Sequence, residues 1–453
     1  MKSLPLLAAL AFIVAVPAIA GDGIIDLTKL ANYAAQPVPA YLTPGRTNTG
    51  ANTITDLGAT LGRVLFYDKR LSRNDTISCA SCHQQARAFG DTPAASTGVA
   101  GTTGRHSMRL INSRFANEVR FFWDERAASL ENQTTQPIQD HVEMGFSNTL
   151  GDPAFADLVT KLSAIDEYRV LFAATFGTTA ITEARVQLAL AQFVRSIQSF
   201  DSKFDTGRAQ VANNGQPFPN FTAQENAGKQ LFLQPSPQGG AGCGVCHRAP
   251  EFDIDPASRN NGVIGRIGGG TDLTNTRSPS LRDLLGPAGQ TNGAFMHDAS
   301  LTTLNSVIDH YNQIPVINTP ANNNNLDNRL RPAGQLQNLN LTQGQKDSLV
   351  AFLRTLTGTA VYTDARWADP FDANGQLSLV ILPSETVAIE NHGNGTATVS
   401  SQGAKGLTYQ VQSSSNLQGW TTVTNVTADA TGRVAQLVPL SGTAFYRFIY
   451  QLP

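Results

Sequence analysis

The chain has 453 residues, which is too long for one ordinary hydrophobic core, so two or three domains are expected. Its hydrophobic content is 41% and its formal net charge is −2, values typical of a globular protein. A charge so close to zero excludes the strongly basic surface that nucleic acids or anionic membranes attract, and no nucleic-acid partner is expected.

Residues 1–20 have the three parts of an export signal. Lys2 precedes an apolar run over 4–16, and small residues follow up to Ala20. We expect cleavage after Ala20 and a mature protein that is periplasmic or otherwise exported. A retained membrane anchor is the alternative, although the run is shorter than the ~20 residues that a membrane span prefers. Residues 21–55, rich in Pro, Thr, Asn and Gly, are typical of an irregular arm.

Two helical regions follow the arm, over 56–215 and 216–373. In the first, apolar residues recur at three- and four-residue steps over 182–197, which predicts a helix. In the second, capping-box patterns at 222–225 and 342–345 predict two helix starts.

The residue pattern of the sequence changes at residue 374. Short alternating runs at 408–412 and 444–450 lie between Gly, Asn and Ser clusters, which predicts a small all-β sandwich over 374–453. This segment has no cysteine and its only histidine is His392, so no redox chemistry is expected there.

The pattern C-x-x-C-H occurs twice and uses every cysteine in the chain. A disulfide framework is one alternative for an exported protein, and a zinc site made of the four cysteines is another. Neither explains why a histidine follows each pair at the same offset. No internal repeat is expected beyond these motifs, which comprise Cys79, Cys82, His83, Cys243, Cys246 and His247.

C-x-x-C-H is the attachment signature of c-type haem. The two thiols add to the vinyl groups of the macrocycle, and the next residue places its imidazole where it binds the iron. We therefore predict two covalently bound haems c, one for each helical region, with His83 and His247 as the proximal ligands. The predicted fold is mostly α: two cytochrome c-like haem domains followed by the small β-sandwich.

Three further segments, 61–72, 121–127 and 295–301, carry a resemblance to a known family. Their order around two C-x-x-C-H sites resembles the bacterial di-haem cytochrome c peroxidases, including the MauG-type enzymes, from about residue 61 to 371. The resemblance implies a peroxidase that reduces hydrogen peroxide at the first haem. It also implies that electrons arrive through the second haem from a small donor protein, a cytochrome c or a cupredoxin.

The resemblance also implies roles for three residues near the first haem. Glu143 matches the distal acid–base carboxylate, Gln133 matches a distal glutamine, and Trp123 matches the tryptophan that conducts electrons between the haems. A carboxylate above the iron can take a proton from peroxide and return it to the departing oxygen. Taken alone, Glu143 fits a solvated charge at a helix end and Trp123 fits a core aromatic residue.

The chain departs from the family at two positions after the first motif. Val99 stands where many members have a distal histidine, so the first haem is expected to be open without reductive activation. His106 is the only nearby histidine that could replace it, and it stands where relatives have an asparagine linked to a calcium ion between the haem domains. The family implies that calcium ion, and His106 argues against it.

At the second haem, Tyr311 occupies the place of the sixth ligand, as in the MauG-type branch. A phenolate is a harder donor than a thioether and is expected to lower the haem potential. The alternative is that Met296 binds the iron and Tyr311 is a half-buried helix residue. His297 is expected to contact a haem propionate or the region between the haems rather than the iron.

Three alternatives to simple peroxide removal remain. A MauG-like enzyme would oxidise a protein substrate through a high-valent di-haem state. A non-enzymatic electron-transfer cytochrome would have two six-coordinate haems, and an adhesion or assembly protein would act through its β-domain. The resemblance also makes a homodimer an option.

Overall fold

The structure is a computed structural model that describes residues 21–42, 48–117, 120–277, 279–316, 324–382, 387–440 and 444–451. The predicted export signal over 1–20 lies outside the described residues. In the described ranges, no helix has both the length and the apolar character needed to cross a bilayer.

Within the described ranges, the α-helices all lie before residue 364. They are α1 (Asp56–Tyr67), α2 (Cys79–Cys82), α3 (Leu130–Thr134), α4 (Phe155–Ser163), α5 (Asp166–Phe176), α6 (Glu183–Ser196), α7 (Lys203–Arg208), α8 (Ala223–Leu233), α9 (Cys243–Cys246), α10 (Leu304–Asn312), α11 (Gln343–Arg354) and α12 (Ala360–Thr363).

Most strands lie near the C-terminus. The strands are β1 (Ile24–Asp26), β2 (Thr97–Gly98), β3 (Gly101–Thr102), β4 (His247–Arg248), β5 (Asp253–Ile254), β6 (Ser378–Val380), β7 (Ala388–Asn391), β8 (Thr396–Gln402), β9 (Thr408–Ser414), β10 (Thr421–Thr427), β11 (Arg433–Pro439) and β12 (Phe445–Tyr450).

The three predicted helix starts are confirmed. Thr182 caps α6 by accepting a hydrogen bond from the backbone N–H of Arg185. Thr222 and Thr342 cap α8 and α11, and each forms the reciprocal capping box with the residue three positions later. These side chains satisfy backbone N–H groups that have no partner inside the helix.

Each helical region contains one close helix crossing. A Cβ atom at Gly62 of α1 would lie 2.0 Å from a carbonyl oxygen of α6, and one at Gly228 of α8 would lie 1.8 Å from a carbonyl oxygen of α11. Only glycine allows the two backbones to approach so closely. Each glycine is followed four residues later by a buried phenylalanine, Phe66 or Phe232. The two helical regions thus share a glycine at a helix crossing and a buried phenylalanine one turn later.

The C-terminal strands form two antiparallel three-stranded sheets, with the orders β10-β9-β12 and β11-β8-β7. The strands predicted at 408–412 and 444–450 correspond to β9 and β12. Apolar residues of both sheets, including Val399, Val411 and Val434, belong to one buried cluster. That cluster also contains the core of the first helical region, so the β-unit packs onto it.

The N-terminal arm contains regular structure. Strand β1 pairs in parallel with β6, with Ile24 opposite Ser378. Tyr33 is fully buried, and its hydroxyl donates a 2.6 Å hydrogen bond to the carbonyl oxygen of Arg366. The prediction of an irregular arm over 21–55 is corrected only for Ile24–Asp26, because composition does not register a pairing partner about 350 residues away. The other described residues of this range form no helix or strand.

The buried clusters divide the chain at other positions than the predicted boundaries. The second cluster runs from Phe204 to Leu356. Val361, Trp367 and Phe371 instead join the first cluster. The chain therefore leaves the second core before residue 360 and returns to the first, where the Tyr67 hydroxyl donates to the carbonyl oxygen of Trp367 at 2.6 Å.

Candidate haem sites

The two C-x-x-C-H motifs have the same local structure. Each pair of cysteines opens and closes a single helical turn, α2 or α9, so the two thiols lie three residues apart on one face. Each histidine is the C-cap of its turn, with φ/ψ of −127°/77° at His83 and −104°/80° at His247. The four cysteines are free thiols, so the disulfide alternative is not realised.

The second motif faces a cavity of about 400 Å³. Cys243, Cys246 and His247 line it together with Met296 and Tyr311. Burial lowers the pKa of His247 to about 4, which keeps its imidazole in the neutral, metal-binding form at neutral pH. Its Nδ1 is buried and has no hydrogen-bond partner among the described residues.

The first motif faces a smaller cavity of about 80 Å³. Cys79, Cys82 and His83 line it together with Gln133 and Glu143, so the structure brings the predicted catalytic pair to the predicted haem ligands. The Nδ1 atom of His83 lies 3.1 Å from the carbonyl oxygen of Phe89, a contact that fixes the orientation of the ring.

The two motifs line separate cavities, which rules out one zinc site made of all four cysteines. Covalent haem c fits the donors of both cavities, because each offers two free thiols on one helical turn and an imidazole directly after them. At the first cavity the surrounding side chains must separate further to admit a macrocycle, since its volume is the smaller.

A turn that starts at Asp140 holds Glu143 in place. The Asp140 carboxylate accepts hydrogen bonds from the backbone N–H groups of Val142 at 2.8 Å and Glu143 at 3.0 Å. Burial raises the pKa of Glu143 to about 7, the charge of Asp140 adds to the rise, and Arg126 opposes it. Glu143 therefore changes its protonation state near neutral pH, as a general acid–base residue requires.

Val99 lies at the tip of the hairpin formed by β2 and β3. Its backbone N–H donates to the carbonyl oxygen of Glu143 at 3.1 Å, and the N–H of Ala100 donates to Val142 at 3.2 Å. Val99, at the position of the family's distal histidine, is thus hydrogen-bonded directly to the segment that contains Glu143.

This contact leads to a prediction for Gly98. A Cβ atom there would lie 2.1 Å from the carbonyl oxygen of Val142, so Gly98→Ala must push the hairpin away from Glu143. We expect faster amide hydrogen exchange at Val99 and a loss of about 1–3 kcal/mol in unfolding free energy. Gly104→Ala is the control, because its nearest neighbouring atom would lie at 3.9 Å. Equal exchange and stability in the two variants would contradict the prediction.

Trp123 lies between the two helical regions. Its indole N–H donates to the carbonyl oxygen of His106 at 2.7 Å, and its ring meets that of His297 edge-on at 6.3 Å. All three residues line the second cavity, and Ser107 lines both cavities. The segment that follows His106 is therefore a shared wall, which pattern analysis missed because it carries no motif.

Two further predictions concern His297 as a contact of a haem propionate and His106 at the position linked to calcium. The Nε2 atom of His297 lies 2.7 Å from the carbonyl oxygen of Gly265, and the Nδ1 atom of His106 lies 3.0 Å from that of Pro93. Within the described ranges, no group of three or more His, Cys, Asp or Glu side chains is placed to hold a metal ion. A calcium ion between the haem domains and a contact between His297 and a haem propionate therefore both stay predictions.

Both candidate sixth ligands of the second haem lie near one residue that the sequence analysis missed. The side-chain nitrogen of Asn261 is 3.2 Å from Met296 Sδ and 3.2 Å from Tyr311 Oη. Burial raises the pKa of Tyr311 well above its ordinary value, and the hydrogen bond from Asn261 opposes that rise. No local pattern marks Asn261, which stands in an Asn-Asn-Gly loop.

Comparison with known proteins agrees with this geometry. Residues 57–212 match the family model described as di-haem cytochrome c peroxidase. The chain is 30% identical over 326 residues to the methylamine utilization protein MauG of Methylophilus methylotrophus, covering 70% of this chain and 87% of MauG. It is 26% identical over 312 residues to the cytochrome c551 peroxidase of Nitrosomonas europaea, covering 66% of this chain and 80% of that protein.

Solved structures show the same relationship. A MauG-like protein associated with microbial copper homeostasis superposes with a TM-score of 0.57 at 28% identity, covering 74% of this chain and 99% of that one. The diheme peroxidase BthA of Burkholderia thailandensis shares the fold, with a TM-score of 0.52 at 21% identity over 78% of this chain and 96% of BthA. With two haem-attachment motifs on matching helical turns and a 30% identical relative covered over 87% of its length, the chain belongs to the di-haem cytochrome c peroxidase family of oxidoreductases.

Proposed function

We propose that this protein is an exported di-haem c-type peroxidase that reduces hydrogen peroxide at the first haem. Electrons reach that site through the second haem, from a small redox protein such as a cytochrome c or a cupredoxin. The observation that carries the proposal is the pairing of Glu143 and Gln133 with Cys79, Cys82 and His83 around one cavity. Export rests on the sequence of residues 1–20.

In this proposal, haem c supplies the redox-active iron at which peroxide accepts electrons. Cys79 and Cys82 would hold the macrocycle covalently, and His83 would bind the iron. Glu143 accepts the peroxide proton and donates it to the departing oxygen. The amide of Gln133 gives the same cavity a neutral hydrogen-bonding group that orients the bound molecule.

Trp123 and the segment that begins at His106, to which its indole N–H donates, would carry electrons between the two sites. The ring of Trp123 lines the second cavity, and Ser107, next to His106, lines both. The indole N–H donates to the carbonyl oxygen of His106, and the backbone carbonyl oxygen of Trp123 accepts hydrogen bonds from the N–H groups of Thr276 at 2.9 Å and Arg277 at 3.1 Å. A fixed aromatic ring between two cofactors suits electron transfer because little reorganisation is needed.

The optical and EPR spectra of the oxidised protein, before and after one equivalent of peroxide, test the proposal. We expect one high-spin and one low-spin haem, and a rapid spectral change when peroxide is added. Two low-spin haems that do not react would instead indicate a non-enzymatic electron carrier. Met144, which also lines the first cavity, is the alternative iron ligand in that outcome, and Met144→Leu identifies it.

The second candidate function is MauG-like oxidation of a protein substrate. Tyr311, facing the second cavity, favours it because a phenolate donor lowers the haem potential. The measurement that distinguishes this candidate is covalent modification of a protein substrate after peroxide is added. Simple peroxide removal produces no such modification.

Tyr311→Met tests the ligand on which this second candidate depends. We expect the potential of the second haem to rise and its low-spin EPR signals to move, because a neutral thioether replaces an anionic oxygen. Tyr409→Phe is the control, since Tyr409 is buried in the β-unit and bonds to Ile381. If the potential and signals of Tyr311→Met match those of the control, Tyr311 does not bind the iron.

A further inference from the structure

The side chain of Asn261 connects the two groups that could bind the second iron opposite His247. Its Nδ2 atom is 3.2 Å from the Met296 sulfur and 3.2 Å from the Tyr311 oxygen. The two donors therefore lie on the same side of the cavity that Cys243 and Cys246 line. Both side chains lie within hydrogen-bonding distance of the same amide nitrogen.

The orientation of the Asn261 amide is fixed by its neighbours. Its side-chain oxygen accepts a 3.0 Å hydrogen bond from the backbone N–H of Val263, so the –NH₂ group must be the end that faces Met296 and Tyr311. Its backbone oxygen lies 2.9 Å from Nε2 of His310, the residue before Tyr311 on α10. Asn261 is thus attached both to its own turn and to the helix that carries Tyr311.

The backbone at Met296 is held in an uncommon conformation. Its φ is +68°, in the left-handed region that residues other than glycine rarely adopt. Hydrogen bonding of Phe295 N–H to Leu301 at 2.7 Å closes the loop around it. Such conformations persist only where the surrounding structure holds them, and they concentrate at functional sites.

An amide N–H donor affects the two candidates differently. A phenolic oxygen has enough lone pairs to accept this hydrogen bond and to bind a metal at the same time. A thioether sulfur is a weak acceptor, and a hydrogen bond to it competes for the electron density that it would give to iron. The donor therefore favours the oxygen as the ligand and withdraws some of its negative charge.

We propose that Asn261 is a positioning residue that selects Tyr311 over Met296 as the sixth ligand of the second haem and so sets the potential of that haem. This inference rests on one part of the proposed function, the second haem with Tyr311 as its ligand, and not on the reaction with peroxide. It assigns to Asn261 a role that neither the C-x-x-C-H motif nor the family resemblance indicates.

Asn261→Leu and Asn261→Asp in the full di-haem protein test the selection. Both lack the N–H donor, and aspartate keeps the oxygen that accepts from Val263. We expect both variants to develop the sulfur-to-iron charge-transfer band of methionine ligation and an upward shift in the second-haem potential. The upward shift should be smaller in Asn261→Asp, because a negative carboxylate near the iron stabilises its oxidised form. Adding Met296→Leu to either variant should abolish the band.

Unchanged spectra and potentials in both Asn261 variants would overturn the inference, and so would a methionine band already present in the parent. If the Asn261 variants fail to fold, Tyr311→Phe gives the second test. Met296 should then bind the iron. A second haem that becomes high-spin would show that Met296 does not reach the iron, and would overturn the placement of both side chains as candidate ligands. These readouts do not depend on peroxide turnover, so a parent that ignores peroxide would refute the proposed function and leave the ligand selection standing.

Discussion

Replacing Glu143 with glutamine is expected to slow the reaction of the oxidised protein with hydrogen peroxide by about 10²–10⁴-fold. Glutamine keeps the size of the side chain but can neither take nor return a proton. The measurement is the stopped-flow rate of the spectral change at the haem, as a function of peroxide concentration. Haem content and the potential of the second haem should match the parent, because Glu143 lines only the first cavity.

The pH dependence of the same rate provides a second readout. Burial raises the pKa of Glu143 to about 7, so the carboxylate form that accepts the proton grows as pH rises through that value. The rate for the parent should therefore rise with pH and level off above neutrality, and Glu143→Gln should remove this rise.

Asp140→Asn is the matched control for the pH profile. Its side-chain oxygen can still accept from the Val142 and Glu143 N–H groups, but the charge that raises the pKa of Glu143 is gone. The profile should keep its plateau and move to lower pH. A Glu143→Gln variant that reacts as fast as the parent would show that Glu143 is not the acid–base group.

Replacing one cysteine pair with alanine is expected to remove one of the two covalently bound haems. Loss of Cys79 and Cys82 should abolish the reaction with peroxide, because the iron beside Glu143 is lost with its attachment. Loss of Cys243 and Cys246 should preserve a single reaction with peroxide but stop turnover with an electron donor. The measurements are haem content, intact mass and the two reaction rates.

The comparison of the two pairs separates the proposed roles of the sites. If loss of Cys243 and Cys246 eliminates the peroxide reaction and loss of Cys79 and Cys82 spares it, the assignment of the haems is reversed. Cys82→Ala alone is a useful control, since His83 and the remaining thiol of Cys79 still line the cavity.

Local sequence patterns predicted several features of the structure correctly. Two cysteines three residues apart, followed by a histidine, form one helical turn with the imidazole at its end, so spacing alone set the geometry of α2 and α9. The threonine caps at Thr182, Thr222 and Thr342 depend on contacts within three residues. Each of these features involves neighbours in the chain, which is why the sequence contains the necessary information.

Features that depend on residues far apart in the chain were not predicted. Gly62 and Gly228 each allow a close helix crossing, but the helix that crosses each glycine lies more than a hundred residues later in the chain. The pairing of β1 with β6 and the return of Trp367 to the first core depend in the same way on distant partners. Composition predicted an irregular arm because it contains no information about those partners.

The sequence by itself therefore determined where the thiols and imidazoles of the two C-x-x-C-H motifs stand, where three of the longer helices begin, and which residues resemble the family's catalytic groups. Only the tertiary structure decided that Glu143 faces the same cavity as His83 and that one Asn261 nitrogen reaches both Met296 and Tyr311. The physical reason is distance along the chain. Turn geometry and capping are set by residues three or four apart, whereas a cavity brings together side chains from separate elements whose packing fixes their directions and the pKa of a buried carboxyl group.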